Sequence, residues 1–87
     1  MSGMRFVYCY WMKEDPGVVQ QAAPKHAAYW HRLGLPDYVG GPFGDRSGGL
    51  ASFEAATGEL AAHLVAGDPF QRAGLINDWW LKVWVPD

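Results

Sequence analysis

His26 and Asp68 are the two side chains whose types and settings suit acid/base chemistry. His26 stands in "PKHAAYWHRLG", residues 24 to 34, with Tyr29, Trp30 and Leu33 at i+3, i+4 and i+7. Helical spacing aims it at the core with those three, where an imidazole needs a polar partner. Two readings follow: a core histidine satisfied by a backbone carbonyl, or a general acid/base. The second draws on the fact that imidazole titrates near neutral pH, and that a neighbouring carboxylate would fix its tautomer and favour its protonated form. Asp68 opens "DPFQRAG" in the stretch "AGDPFQRAGL", residues 66 to 75. Aspartate before proline reads as an N-cap with proline at the first position of a single helical turn ending at Gly74. That local role accounts for Asp68 without any chemistry, and spacing along the chain does not show that the two residues meet.

The loop "GGPFGDRSGG", residues 40 to 49, is a candidate binding element. It lacks the GK[ST] ending of a phosphate loop and the G-x-G-x-x-G spacing, so it does not read as a nucleotide site. Gly40 and Gly41 have no side chains to fill the space above a strand end, and Arg46 and Ser47 could reach an anionic or hydroxyl group placed there. Pro42 and Phe43 of the same loop, and Phe70 after Asp68, complete the expected substrate-binding set. A plain flexible hairpin connection is the alternative, and Asp45 reads as a turn residue. His31 lies about 140° around the helix from His26 and should face water, as should His63. No His, Asp or Glu spacing demands a metal, and no cofactor is expected. Tyr8, Tyr10, Trp11, Trp80 and Trp84 could line an aromatic pocket, but such stripes are more often core or interface.

The elements that must position these residues are legible from periodicity. "MRFVYCYWM", residues 4 to 12, is a strand with Phe6, Tyr8 and Tyr10 on one face and Val7, Cys9 and Trp11 on the other, ending in the turn-forming "KEDPG". A helix follows from Pro24 to Gly34. "PDYVGGP" (36 to 42) and "GLASFEA" (49 to 55) form a β-hairpin around "GDRSGG". From the N-cap Thr57 a second helix puts Leu60, Ala61, Leu64 and Val65 on one face and stops at Gly67, a C′ glycine. The last strand, "DWWLKVWVP" (78 to 86), alternates Trp79, Leu81, Val83 and Val85 with Trp80, Lys82 and Trp84. The order strand, helix, strand, strand, helix, strand is the split βαβ arrangement of an α+β ferredoxin-like sandwich: a four-stranded antiparallel sheet with two helices on one face. Helices cover one face only, yet the end strands are apolar on both, which predicts a second subunit packing sheet on sheet.

Composition narrows the partners. The chain of 87 residues reads as one domain, residues 1 to 87, with 49% apolar residues, five tryptophans and formal net charge −2. Its seven Lys and Arg are scattered, so the basic footprint of nucleic-acid binding is missing. No apolar run approaches the roughly 20 residues of a membrane span, and the amino terminus lacks a signal-peptide pattern. Cys9 is the single cysteine, which rules out an internal disulfide and agrees with a reducing compartment. The expectation is a soluble, cytoplasmic protein with a small-molecule ligand and neither nucleic acid nor membrane as partner.

Taken in order, His26 in the first helix, "VGGPFGDRSGG" (39 to 49), "AGDPFQRAGL" (66 to 75) and a tryptophan-containing last strand resemble the YciI-like family, also called YCII-related or DGPF-type domains, over nearly the whole chain. The resemblance implies a ferredoxin-like fold pairing as a dimeric α/β barrel, with a histidine and an aspartate facing each other in a cleft between helices and sheet. Carried over, these are His26 and Asp68. Members look like small lyases or hydrolases acting on small, sometimes aromatic, compounds. The family pattern often has an arginine three residues before the helix histidine; Ala23 stands there, leaving Arg46 and Arg72 as the nearby cations. The function expected is a small cofactor-independent enzyme using the His26/Asp68 pair, and the alternative is a small-molecule binding or accessory module without catalysis.

Overall fold

The computed structural model describes residues 3–13 and 16–87; Glu14 and Asp15 of the "KEDPG" turn lie outside the described residues. Strand β1 (Met4–Met12) is followed by helix α1 (Pro16–Arg32), strands β2 (Val39–Pro42) and β3 (Gly48–Ala55), helices α2 (Gly58–Ala66) and α3 (Pro69–Arg72), and strand β4 (Ile76–Val83). The sheet order is β2-β3-β1-β4 and every neighbouring pair is antiparallel. This is the ferredoxin-like βαββαβ arrangement, with α3 as a single extra turn.

Strand β1 sits at the centre because its alternation satisfies two layers at once. Phe6, Tyr8 and Tyr10 join Ala51, Phe53 and Ala55 of β3 beneath Trp30, Ala61, Val65 and Phe70 of the helices, and together they form the core. Trp30 is fully buried against Phe53 and lies parallel to Tyr38, with ring centroids 6.0 Å apart. On the opposite face, Val7, Cys9 and Trp11 pair in register with Lys82, Trp80 and Asp78 of β4. There Trp80 and Trp84 remain exposed, no helix covers them, and Trp11 packs on Trp80.

The first helix begins eight residues before the expected start. Pro16 occupies its first position, where no backbone donor is needed, and Pro24 lies inside it. An internal proline removes one helical hydrogen bond and costs about 3 kcal/mol. Packing of Val19, Ala22 and Ala23 against the core offsets that cost, and local propensity alone does not reveal it. Strand β2 starts at Val39 because Asp37 holds a left-handed backbone, φ 52°, which breaks the extended run expected from Pro36. Strand β4 starts earlier than expected, at Ile76, through a bulge opposite Trp11 and Met12. In α2, Ala61 and Val65 are buried and Leu60 is exposed, which narrows the expected apolar face.

Among the described residues no helix is long and apolar enough to cross a membrane. Nor do three or more His, Cys, Asp or Glu side chains gather among them as a metal-holding group.

Candidate active site

The turn between α2 and α3 places Asp68 rigidly. Its amide donates to the Val65 carbonyl at 3.0 Å, its own carbonyl accepts the Arg72 amide at 2.9 Å, and its side chain caps α3 by accepting from the Phe70 amide at 3.0 Å. Pro69 fixes the first helical position, and Gly74, at φ 70°, ends the turn in the left-handed region that glycine enters freely. Gly67 has a different reason from the one its sequence position suggests. Its φ is −85°, an ordinary right-handed value, and a Cβ there would meet the ring and hydroxyl of Tyr29. That hydroxyl donates to the Leu64 carbonyl and ties α1 to α2.

This geometry aims the carboxylate at α1. Nδ1 of His26 lies 2.7 Å from Oδ1 of Asp68. Asp68 is completely buried and surrounded by donors: the Phe70 amide on Oδ1, and the Tyr8 hydroxyl on Oδ2 at 3.1 Å. Gln71 in turn donates to Tyr8 at 3.2 Å. A buried carboxylate so surrounded serves as an acceptor, which assigns a proton to Nδ1 of His26 and, in the neutral imidazole, leaves Nε2 with the lone pair. The Tyr10 hydroxyl lies 3.2 Å from that nitrogen. Phe70 stacks flat on the imidazole, with centroids 4.1 Å apart and planes 12° from parallel. Burial first, and the Asp68 charge second, push the phenols of Tyr8 and Tyr10 well above their ordinary value, so both hydroxyls keep their protons.

The imidazole opens onto a cavity of about 250 Å³ bordered by α1, the β2–β3 hairpin and Phe70. Of the residues expected to bind a substrate, Gly40, Gly41, Pro42, Arg46 and Phe70 border it, and Phe43 and Ser47 do not. Phe43 packs near Trp11, with ring centroids 6.5 Å apart. The Ser47 hydroxyl and amide are both bonded to Asp45 Oδ1, at 2.6 and 3.0 Å, which holds the Asp45 carboxyl below its usual range. The space beside Gly40 is taken by the Tyr38 ring, whereas the space beside Gly41, which also borders the cavity, is open. Further room comes from Ala23 and Ala27 of α1, whose small side chains border the cavity. Ala23 occupies the position where the family pattern often has arginine. Arg46 is the lysine or arginine that borders the cavity, and it holds a left-handed backbone at φ 66°. Arg72 is exposed on α3 and does not border it.

Several residues that border the cavity lie outside the expected binding set. Val19 and Gln20 lie before Pro24, where no helix was expected, although the spacing 19, 23 and 27 continues the His26 stripe backwards. Tyr38 lies just before β2, and its ring fills the space beside Gly40. His31 is exposed, as its angle predicts, but at the cavity rim and edge-on to Tyr38 at 5.8 Å. Tyr10, weighed as core or interface, is core and also contacts His26.

Fold and site together define a ferredoxin-like domain carrying a buried carboxylate and an imidazole at the base of a small aromatic-walled cavity. No protein-family model matches the chain, and neither does any curated protein. Among solved structures, it is similar to 5-chloro-2-hydroxyhydroquinone dehydrochlorinase (TftG) from Burkholderia phenoliruptrix AC1100, in a complex with 2,5-dihydroxybenzoquinone. The TM-score is 0.77 and the identity 26%, over 94% of each chain.

Proposed function

We propose that the protein is a small enzyme of the YciI-like type that eliminates a proton and a leaving group from a small hydroxylated aromatic compound. His26 is the general base and Asp68 the residue that orients it and stabilises the imidazolium. The observation that carries the reading is the His26–Asp68 contact of 2.7 Å at the base of a cavity of about 250 Å³, a volume suited to one aromatic ring with a few substituents. The similarity to a dehydrochlorinase held with a dihydroxybenzoquinone favours hydroquinones as the substrate class and hydrogen halide as the group lost.

The chemistry balances without a cofactor. In its keto form, a halogenated hydroquinone carries one former hydroxyl proton on the halogen-bearing carbon. His26 takes the remaining hydroxyl proton, the oxygen electrons move into the ring, the carbon–halogen bond breaks and halide leaves with its electron pair. The ring departs as a quinone. A positioned base of this kind contributes about 10² to 10⁴ in rate, enough for a compound already disposed to eliminate.

The working form we propose is a homodimer joined through the uncovered sheet face, where Trp11, Trp80 and Trp84 would be buried. The reading is tested by incubating the protein with 5-chloro-2-hydroxyhydroquinone and measuring chloride and quinone. One chloride released per quinone formed, faster than without protein, is expected. Tight binding of 2,5-dihydroxybenzoquinone with no chloride release would instead make the protein a binding module.

A further inference from the structure

We propose that Tyr10 is a catalytic residue of this site: its hydroxyl meets the substrate and passes the proton on to Nε2 of His26. The inference rests on the acid/base reading above and names the group through which the base acts.

Asp68 occupies Nδ1, so Nε2 is the nitrogen with a free lone pair, and the group found there is the Tyr10 hydroxyl at 3.2 Å. Tyr10 is held in that place. The residue is 2% exposed, and its ring is edge-on to both His26 and Phe70, with centroids 5.5 and 5.9 Å away. Its hydroxyl fills the space beside the bare Cα of Gly49, its register partner on β3, where a Cβ would collide with that hydroxyl and lie 2.7 Å from the Gly41 carbonyl oxygen. Tyr10 and His26 both border the cavity. A substrate hydroxyl directed at Nε2 therefore meets the phenol oxygen first.

In the step, the substrate O–H bond breaks and its proton bonds to the Tyr10 oxygen, while the Tyr10 O–H bond breaks and its proton bonds to Nε2. Tyr10 gains one proton and loses one, and His26 becomes imidazolium beside the Asp68 carboxylate. The electron pair left on the substrate oxygen drives the leaving group out. Burial first, and the Asp68 charge second, raise the Tyr10 phenol, so it does not stand as a phenolate and the two transfers are concerted.

Two readouts test this on Tyr10→Phe and, as a variant that displaces the hydroxyl by a different route, Gly49→Ala. The first is acylation of His26 by diethyl pyrocarbonate, which attacks an unprotonated imidazole nitrogen, with exposed His31 as internal standard by peptide mass analysis. Removing or displacing the hydroxyl uncovers Nε2, and His26 should react faster in both variants, on the order of tenfold. The second is chloride release from 5-chloro-2-hydroxyhydroquinone, where kcat should fall about 10²-fold or more with KM little changed. Wild-type acylation rates at His26 in Tyr10→Phe, or a kcat at or above wild type, overturn the proposal. Loss of activity in His26→Asn with activity kept in Tyr10→Phe removes Tyr10 alone from the mechanism, whereas activity kept in His26→Asn removes the acid/base reading itself. If the wild-type protein leaves this compound unchanged, the substrate class proposed above fails, and the acylation rates still decide whether the Tyr10 hydroxyl stands over Nε2.

Discussion

Phe70 covers one face of the His26 imidazole, 4.1 Å away and 12° from parallel, two residues after the carboxylate that holds the same ring by its edge. One tripeptide, Asp68-Pro69-Phe70, thus supplies both constraints on the base: Asp68 fixes the position of Nδ1 and Phe70 fixes the plane. Proline between them, at the first position of α3, keeps the two constraints in register. Phe70→Leu should keep most of the apolar burial while removing the flat face. Thermal unfolding should show a loss of about 1 kcal/mol, or roughly 4–8 °C in Tm for a domain of this size. The kcat should fall by about tenfold because the ring is no longer held in plane. An unchanged kcat would mean that the edge contact alone orients the imidazole.

The Asp68 carboxylate has two separable roles, and two substitutions separate them. In Asp68→Asn the side-chain oxygen can still accept from Nδ1 and the Phe70 amide, with the amide nitrogen turned toward the Tyr8 hydroxyl. Tautomer and cap survive, while the charge is lost and the Tyr8 hydroxyl, which already accepts from Gln71, loses the acceptor for its own proton. Stability should fall by about 1–3 kcal/mol, less than in Asp68→Ala, and kcat should fall about 10²-fold or more. Asp68→Ala leaves those donors without their acceptor in a fully buried place, a cost of about 3–5 kcal/mol. Thermal unfolding of both variants beside steady-state kinetics checks the distinction, and equal losses of stability would contradict it.

Much of this arrangement could be read in the chain beforehand. Alternation in β1 and β4, the glycine-bounded hairpin and the Asp-Pro cap gave the element order because each is a local rule acting within about ten residues. The inward direction of His26 came from its spacing with Trp30. The stretch before Pro24 was not legible, because an internal proline argues against helix and only packing of Val19 and Ala23 on the core overrides it. Two glycines have roles that their local sequence does not show. Gly40 and Gly67 look like open space and a left-handed cap, but each makes room for a tyrosine from elsewhere in the fold, Tyr38 and Tyr29, and a close approach of that kind leaves no local trace.

Alkaline pH should destabilise the fold through its phenols. All four tyrosines are raised from an ordinary 10.0, chiefly by burial, with the Asp68 charge contributing at each. Unfolded, they ionise near that value; folded, they keep their protons to higher pH. Above pH 10 the native state therefore binds more protons than the unfolded chain, and stability falls as pH rises. Below it, this contribution is fully present. Tm measured as a function of pH should be insensitive to these groups up to about 10 and should then drop, with near-ultraviolet phenolate absorbance appearing together with unfolding. Phenolate absorbance rising fully near pH 10 in the folded protein would contradict the burial of Tyr8 and Tyr10.

The proposed packing of a second copy on the uncovered sheet face has a direct consequence for Trp80. It is 37% exposed, packs on Trp11 and pairs with Cys9 at the middle of that face. Trp80→Glu places a charge where two faces would meet, and a buried unpaired charge is expensive. Sedimentation velocity should show dimer for the wild-type protein and monomer for the variant, with circular dichroism of the monomer still native-like. Identical sedimentation of the two proteins would place the contact elsewhere.

The most direct measurement is the rate of chloride release from 5-chloro-2-hydroxyhydroquinone by the wild-type protein and by His26→Asn, both checked for native circular dichroism. Removing the base while keeping the Phe70 stacking site and the cavity should lower kcat about 10²-fold or more, with 2,5-dihydroxybenzoquinone binding retained. A His26→Asn protein that releases chloride at the wild-type rate would contradict the assignment of His26 as the base.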